Sequence, residues 1–171
     1  MEITGLPLDK AAQELRHLNV SMFQANINTV ARKAAYIAQL AHESMGMKRF
    51  EEIASGRKYE GRRDLGNTRP GDGKRYRGRG AIQVTGRANY REATRDLGDQ
   101  LGGTDLEAEP ERADDPDVRY LTAAWFWEKR GLNKHADRGR FDTITRRING
   151  GLNGKADRDR YHRKALRVLG G

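Results

Sequence analysis

The sequence predicts a single, mainly α-helical domain with a small lobe of loop or β structure. Apolar residues recur at helical spacing in several segments, which indicates amphipathic helices. Residues 76–86 indicate a short strand or extended piece. The overlapping residues 53–80 hold seven glycines and few apolar residues, which predicts a long ordered loop or a small hairpin. A length of 171 residues fits one domain with its own core, so we expect residues 1–171 to form one unit.

Two helices are predicted near the N-terminus. Residues 8–18 carry apolar side chains at helical spacing, and Asp9 can cap their N-terminal end. Residues 19–28 are expected to form a loop or short turn. Thr29 is the expected N-cap of the second helix, and Gly46 is expected to end it. The apolar residues of this second helix share one face: Val30, Ala34, Ile37, Ala38 and Ala41.

Four further helices are predicted after the glycine-rich loop. They begin near Ala88, extend over residues 116–130, extend from residue 142 towards 148, and begin at Lys155 or Asp157. The acidic residues 96–117 are the expected surface connection between the first two of these helices. Trp125 and Trp127 are two positions apart and point in different directions on a helix. We therefore expect Trp125 in the core and Trp127 partly exposed.

The net charge of +9 is distributed unevenly along the chain. Residues 57–95 carry a net charge of +8 and residues 118–171 carry +9, whereas residues 96–117 carry −8. A protein this basic is attracted to polyanions. Nucleic acid and an anionic bacterial cell wall both meet that condition, and charge alone favours neither.

Several classes of protein and site are excluded by composition. The chain has no cysteine, which rules out disulfides and thiolate metal sites and fits synthesis in a reducing cytoplasm. Four scattered histidines without His-x-x-x-His spacing give no zinc signature, so we expect no metal and no cofactor. No apolar run reaches about 18 residues, so we expect no membrane insertion. The N-terminus lacks the layout of a signal peptide.

Two glutamates are the first candidates for chemistry. Glu43 ends an alanine-rich apolar run, where Tyr36 and Leu40 would partly desolvate it, and Glu52 follows nine residues later. An inverting glycosidase needs one carboxylic acid and one carboxylate roughly 6.5–9.5 Å apart, with a water between them. Either glutamate alone is explained equally well by pairing with an arginine. Glu51 is a rival to Glu52 as the base.

The arginine-glycine run before residue 80 and the residues after it allow two interpretations. An RGG-like tract would bind nucleic acid, but such tracts are longer and repetitive, and this one leads directly into an apolar segment. An extended strand there would put Gln83 and Thr85 on one face, where both could hydrogen-bond a water or a sugar hydroxyl. Ordinary solvent-facing polar residues are the alternative.

A third candidate is the turn that begins at Asn149. Asn149-Gly150-Gly151 follows a predicted helix, so a helix C-cap is the simplest interpretation. The Asn149 amide could equally face the N-acetyl group of a sugar.

Several blocks together resemble family 19 glycoside hydrolases, the lysozyme-like group that includes plant and bacterial chitinases and many phage endolysins. They occur in the family's order and span residues 41–170. The blocks are Ala41-His42-Glu43-Ser44, Glu52, Tyr76-Arg77-Gly78-Arg79-Gly80-Ala81-Ile82-Gln83-Val84-Thr85-Gly86-Arg87-Ala88-Asn89-Tyr90, Ile144-Thr145-Arg146-Arg147-Ile148-Asn149-Gly150-Gly151, Ala156-Asp157-Arg158 and Arg167-Val168-Leu169-Gly170.

This resemblance implies a lysozyme-like α+β fold with two lobes and a cleft between them, and an inverting mechanism. Glu43 matches the general acid and Glu52 the base that activates water. Thr85 matches a hydroxyl residue that helps to hold that water. The remaining matches are substrate-contact or supporting positions, with Arg158 in a charged network around the carboxylates: His42, Gln83, Asn89, Asn149 and Arg158.

One departure from the family bears on the substrate. Only 23 residues separate Glu52 from Tyr76, whereas chitinases usually have a much longer insert. The short version is similar to the lysozyme domains of endolysins from phages that infect actinobacteria, including mycobacteriophages. In such lysins the domain is often one module of a longer chain.

The resulting hypothesis is a peptidoglycan hydrolase, an N-acetylmuramidase that cleaves between N-acetylmuramic acid and N-acetylglucosamine. Chitinase activity is the alternative within the same class. A non-catalytic wall-binding or nucleic-acid-binding module is the alternative of another class, and the presence of both glutamates argues against it. We expect a monomer that binds bacterial peptidoglycan, recognises no specific nucleic acid, and is released from the host cytoplasm by a separate holin.

Overall fold

The computed structural model describes residues 2–171, and helices dominate it. Short 3₁₀ turns lie between the helices at residues 57–59, 63–65, 98–101 and 110–114. Strand pairing within the described residues is limited to two isolated antiparallel bridges, Glu51–Arg79 and Arg79–Val84. The eight α-helices of this part are α1 (Leu8–Gln24), α2 (Val30–Glu43), α3 (Asp72–Arg75), α4 (Arg87–Leu97), α5 (Pro116–Lys129), α6 (Asn133–Ala136), α7 (Phe141–Asn149) and α8 (Lys155–Gly170). The mainly α-helical fold class is thus confirmed.

Helix α2 is the central element of the core. All eight residues from Ala34 to Ala41 are buried, and α8 packs along the helix. Four of the eight are alanines, whose small side chains allow a neighbouring helix to approach closely. On another side of α2, the ring of Tyr36 meets that of Trp127 edge to face, with centroids 5.2 Å apart. Glu43, the last residue of α2, therefore extends from a rigid support.

The start of the chain differs from the prediction in two places. Helix α1 continues through the expected loop to Gln24, because Leu18, Ser21 and Met22 continue its buried face. Asp9 is not the cap: Pro7 occupies the N-cap position, without a side-chain cap, and its carbonyl accepts from the Ala11 amide at 2.9 Å. Tertiary packing thus stabilises a helix that is longer than local sequence signals predicted.

The boundaries of α2 match the prediction at one end. Thr29 is the N-cap, and its side chain accepts from the Arg32 amide at 3.2 Å. The helix ends at Glu43 rather than at Gly46, with Ser44 as C-cap. Gly46 still closes the turn: it has a φ of 76° and donates its N–H to the Ala41 carbonyl.

Trp127 was predicted to be partly exposed, and that prediction was wrong. It is fully buried, and its indole N–H donates to Asn133 Oδ1 at 2.8 Å. Trp125, the expected core residue, is also buried and donates to Asp96 Oδ2 at 3.0 Å. Trp127 contacts Tyr36 of α2 and Asn133 of α6, whereas Trp125 contacts Asp96 of α4, so side chains that point in different directions both become buried.

The later helices begin and end within a few residues of their predicted bounds. The predicted strand does not form. The chain turns between Gly80 and Gln83, where the Gln83 amide donates to the Gly80 carbonyl at 3.2 Å and Gln83 has a φ of 57°. This segment lies tightly against α5, since a Cβ on Gly80 would lie 3.1 Å from Thr122 Oγ1.

Polar side chains order the long loop in place of an apolar core. The carboxylate of Glu60 accepts the amides of Gly71 and Gly73, at 2.7 and 2.8 Å. Asp72 is 2% exposed and accepts the Arg69 amide and the Arg87 Nε, both at 3.0 Å, while a second Arg87 nitrogen reaches its other oxygen. The loop is thereby fixed to the start of α4.

No helix among residues 2–171 has the length and apolar character needed to cross a membrane.

Replacing Asp72 with Asn tests this anchor. The Arg87 hydrogen bonds hold the pKa of Asp72 below its usual range. A carboxylate whose pKa is depressed by folding stabilises the fold above its unfolded pKa of about 3.9, and this contribution is lost as the pH falls through the folded pKa. We expect Asp72→Asn to lower the free energy of unfolding by about 3 kcal/mol at pH 7. The loss shrinks below about pH 4, as urea titrations at several pH values will show.

Asp64→Asn is the matched control, because Asp64 pairs with Arg62 on the surface and its side chain is 61% exposed. Little change is expected at any pH. An Asp72→Asn defect of equal size at pH 7 and pH 3 would contradict the assigned role of the charge.

Candidate functional site

Glu43 contacts a buried cation. Its carboxylate lies 2.5 Å from Nη2 of Arg158, whose side chain is completely buried. The same guanidinium donates from Nη1 to Gln39 and from Nε to the Asn153 carbonyl at 3.1 Å. Gln39 in turn donates to Thr145 Oγ1 at 2.8 Å. Glu43 is therefore the outer end of a polar network that joins α2, α7 and α8.

His42 lies beside this network and is oriented by two neighbours. Its Nδ1 lies 2.8 Å from Asp157 Oδ2. Burial acts to raise the pKa of Asp157, but the contacts with His42 and Arg160 hold it below its usual range. The other neighbour is Gly154, where an added Cβ would lie 2.2 Å from His42 Cε1, so only a glycine fits against the ring.

Glu52 has a separate set of partners. Its Oε2 accepts the Gly78 amide at 3.2 Å, and the Glu52 amide donates to the Gly78 carbonyl at 2.9 Å. Its Oε1 lies 3.2 Å from the Tyr59 hydroxyl and 2.8 Å from Lys58 Nζ, and this contact raises the pKa of Lys58. The side chain is 15% exposed, so it remains reachable from solvent.

Gln83 and Thr85 converge on Glu52 although no strand carries them. A Cβ on Gly78 would lie 2.8 Å from Gln83 Oε1 and 3.3 Å from both Glu52 Oε2 and Thr85 Oγ1. Gln83 is held by hydrogen bonds from its Nε2 to the carbonyls of Phe50 and Gly80, at 2.8 and 3.1 Å. The absence of a Cβ at Gly78 thus lets three polar oxygens lie close to one another.

Glu51 faces a different environment from Glu52. Its Oε1 accepts from Arg77 Nη2 at 2.6 Å and from Arg79 Nε at 2.9 Å. Two guanidinium groups therefore occupy this carboxylate, whereas Glu52 contacts a phenol, an amide and one exposed lysine.

The two asparagines of the site support backbone turns. Asn89 Nδ2 donates to the Thr85 carbonyl at 2.7 Å and so fixes the start of α4 against the Glu52 group. Asn149 accepts from Asn153 Nδ2 at 3.0 Å, beside the carbonyl that receives Arg158. The predicted C-cap after Asn149 is confirmed, since Gly150 has a φ of 77°.

The predicted site residues thus form two groups joined by an ordered connection. One group surrounds Glu43 and the other surrounds Glu52. Between them, the Ser44 hydroxyl donates to the Leu40 carbonyl at 2.6 Å and accepts the Met47 amide at 3.0 Å. The Ser44 carbonyl also accepts two later amides of the turn, at 2.9 and 3.0 Å. These hydrogen bonds fix the direction in which the chain continues from α2 towards Glu52.

Sequence reasoning missed four residues that contact these groups. Lys58, Tyr59 and Gly78 touch Glu52, and Asp157 touches His42. Tyr59 could have been noticed in the sequence because it is an aromatic residue within a loop rich in turn-forming residues. Residues 2–171 contain no group of three or more His, Asp or Glu side chains arranged to hold a metal ion.

Comparison of the sequence with known families gives one clear match. The model of glycoside hydrolase family 19, described as chitinase class I, matches residues 20–138. A glycosyl hydrolase family 19 domain-containing protein of Haemophilus influenzae is 34% identical over 154 residues, covering 72% of each chain. An endochitinase of Arabidopsis thaliana is 40% identical over 132 residues, covering 75% of this chain and 43% of that protein. This chain thus spans less than half the length of that plant relative.

Solved structures give the same result for the fold. Chitinase C from Streptomyces griseus superposes with a TM-score of 0.72 at 24% identity, covering 91% of this chain and 83% of the other. A class IV chitinase from Zea mays gives a TM-score of 0.69 at 26% identity, covering 92% and 80%. The family match over most of the sequence and the shared fold show that this chain belongs to glycoside hydrolase family 19.

Proposed function

We propose that this chain is an inverting N-acetylmuramidase that hydrolyses the β-1,4 bond between N-acetylmuramic acid and N-acetylglucosamine in bacterial peptidoglycan. One observation carries the mechanism. Glu52, Gln83 and Thr85 bring oxygens close together beside Gly78, and these oxygens could hold and activate a water. Glu43, on the other side of the connecting turn, is a carboxyl group positioned by a buried arginine.

The reaction follows from these roles. Glu43 in its protonated form donates a proton to the glycosidic oxygen as the bond from C1 to that oxygen breaks. Glu52 removes a proton from the water, whose oxygen attacks C1 from the opposite face and inverts its configuration. The Thr85 hydroxyl, which donates to the Gln83 carbonyl at 2.9 Å, can accept a hydrogen bond from the same water. Arg158 stabilises the negative charge that Glu43 acquires.

The charge of the protein supports peptidoglycan as the substrate. A net charge of +9 favours an anionic bacterial wall over an uncharged polymer. The short connection between Glu52 and Tyr76 supports the same assignment, and we propose that residues 1–171 are the glycosidase module of an endolysin-type wall hydrolase.

Chitin is the second candidate substrate. Relatives from Arabidopsis thaliana and Zea mays carry the name endochitinase, and the two superposed structures are those of chitinases. Both substrates contain β-1,4-linked N-acetylated sugars, so the mechanism is the same for either.

The substrate is tested by digesting purified peptidoglycan and chitin oligosaccharides with the same protein. Mass spectrometry of the new reducing ends is expected to find muramic acid, because the bond to N-acetylglucosamine is the one broken. Proton NMR during the reaction is expected to show the α anomer first, as inversion at a β linkage requires. Reducing glucosamine ends from the wall would instead indicate a glucosaminidase, and cleavage of chitin alone would indicate a chitinase.

Three conservative substitutions test the catalytic roles. Glu43→Gln and Glu52→Gln are each expected to lower kcat by about 10² to 10⁴, because each removes a proton-transfer group. Glu51→Gln is the matched control and is expected to lose less than tenfold, since its carboxylate is occupied by two arginines. A larger loss from Glu51→Gln than from Glu52→Gln would exchange their assignments. Circular dichroism checks that each variant remains folded.

Gly78→Ala tests the close arrangement of the Glu52, Gln83 and Thr85 oxygens without altering any charge. The new methyl group would displace the Gln83 amide and crowd both Glu52 and Thr85. We expect kcat to fall roughly 100-fold while Tm changes little, because the displaced atoms are side-chain ends. Gly170→Ala is the control, since the nearest atom to its added Cβ is Val30 Cγ1 at 4.0 Å. Full activity in Gly78→Ala would show that catalysis does not depend on this arrangement of oxygens.

A further inference from the structure

A basic cavity lies beside the Glu52 group. It has a volume of roughly 480 Å³, and its lining includes four cationic side chains and one carboxylate. We call it the basic cavity and define it by its charged lining residues: Lys74, Arg75, Arg77, Arg79 and Glu111. The proposed mechanism uses none of them.

The basic cavity adjoins a second cavity on the Glu52 side. This second cavity of roughly 570 Å³ contains Glu51 and Glu52 in its lining, and Arg77 lines both cavities. A glycan bound near Glu52 could therefore direct a substituent past Arg77 into the basic cavity.

The positive charge of the cavity is only partly neutralised. Arg77 and Arg79 share a single carboxylate oxygen of Glu51. Arg75 donates to the Ala108 carbonyl at 2.7 Å, and neither it nor Lys74 forms an ion pair with a carboxylate of residues 2–171. Cations therefore remain available to an incoming anion.

Two of the nearby acidic residues are already paired, whereas Glu111 lines the cavity and offsets part of its charge. Glu107 contacts Arg91 and Arg87, and these contacts lower the pKa of Glu107 to about 2. Asp115 pairs with Arg112 at 2.5 Å. With Glu51 and Glu111 as its neighbouring carboxylates, the cavity keeps a net positive charge from its four cations.

Two of the four cations are also held in place. Arg79 is 6% exposed, and its Nη1 donates to the Arg75 carbonyl at 2.8 Å. The guanidinium of Arg75 lies 5.7 Å from the ring centroid of Tyr76 and is tied to Ala108. Guanidinium groups fixed in this way lose little entropy when they bind an oxyanion.

We propose that the basic cavity is a subsite for a carboxylate that the substrate carries next to the scissile bond. In peptidoglycan that carboxylate belongs to the lactyl-linked peptide of muramic acid, whereas chitin offers no anion at this place. The inference rests on the proposed function and deepens it, because it names the group that would distinguish wall from chitin. A phosphate of a wall polymer has similar chemistry, so the test includes it as a separate source.

The test compares a double variant, Lys74→Gln with Arg75→Gln, with a control of equal charge change, Lys10→Gln with Arg16→Gln on α1. We expect KM for peptidoglycan to rise roughly tenfold in the double variant and to change less than twofold in the control. The kcat on peptidoglycan and the KM for chitin oligosaccharides should both stay within twofold of wild type. Equal effects from both pairs would overturn the proposal, since that would indicate general charge attraction.

Modified walls identify the anion. Amidating the peptide carboxylates should remove the difference between wild type and double variant. Stripping phosphate polymers with hydrofluoric acid should leave that difference intact. The reverse pattern would overturn the carboxylate assignment in favour of phosphate.

A binding measurement tests the subsite independently of the proposed hydrolysis. In the Glu52→Gln background, co-sedimentation with intact peptidoglycan measures affinity without cleavage. Binding should weaken roughly tenfold when Lys74 and Arg75 are replaced. If wild-type protein leaves peptidoglycan uncut, the proposed function fails, while this measurement still decides the subsite. Unchanged sedimentation would overturn the subsite even if the muramidase activity is found.

Discussion

The buried guanidinium of Arg158 is the constraint on which the rest of the site depends. A charge removed from water destabilises the fold unless it is paired and hydrogen-bonded, and here Glu43, Gln39 and the Asn153 carbonyl each accept from one nitrogen of the guanidinium. Those partners come from α2 and from the turn before α8, so the contacts of Arg158 join the main helix pair of the core. The same requirement fixes the carboxylate of Glu43 at the end of α2. The same contacts of Arg158 therefore stabilise the packing of the core and position the proposed acid.

The Glu52 side of the site is built on a different principle. It has little apolar core, and carboxylates that accept backbone amides hold its loops, as Glu60 and Asp72 do. Gly78 brings Glu52 close to Gln83 and Thr85 because no Cβ stands between them. One group of the site thus lies at a helix end, and the other lies on loops held by hydrogen bonds. This division matches the chemistry that we propose, in which one carboxyl group donates a proton and the other positions a mobile water.

The tertiary structure determines which of the charged residues in the sequence pair with one another. Read linearly, the acidic residues 96–117 would cancel the basic residues 57–95. In the fold, Glu107 pairs with Arg87 and Arg91 and Asp115 pairs with Arg112, whereas Lys74 and Arg75 remain unpaired with carboxylates of residues 2–171. The surface beside the proposed cleft is thus more basic than its neighbouring sequence suggests. The proposed recognition of an anionic wall rests on this separation.

The sequence by itself determined the helical class, the Thr29 cap, the glycine that closes the turn after Glu43 and the family, because these depend on local periodicity, capping chemistry and motif identity. It did not determine the burial of Trp127 or the length of α1, since both follow from which helices cover them. The approach of Gln83 and Thr85 to Glu52 was expected on a strand and is achieved by a turn, which the contact of Gly80 with α5 imposes. The family resemblance implied that Arg158 lies in a charged network around the carboxylates, but only the tertiary structure decided that its partner is Glu43 and that Glu51 is held by two arginines, because those partners lie far apart in sequence.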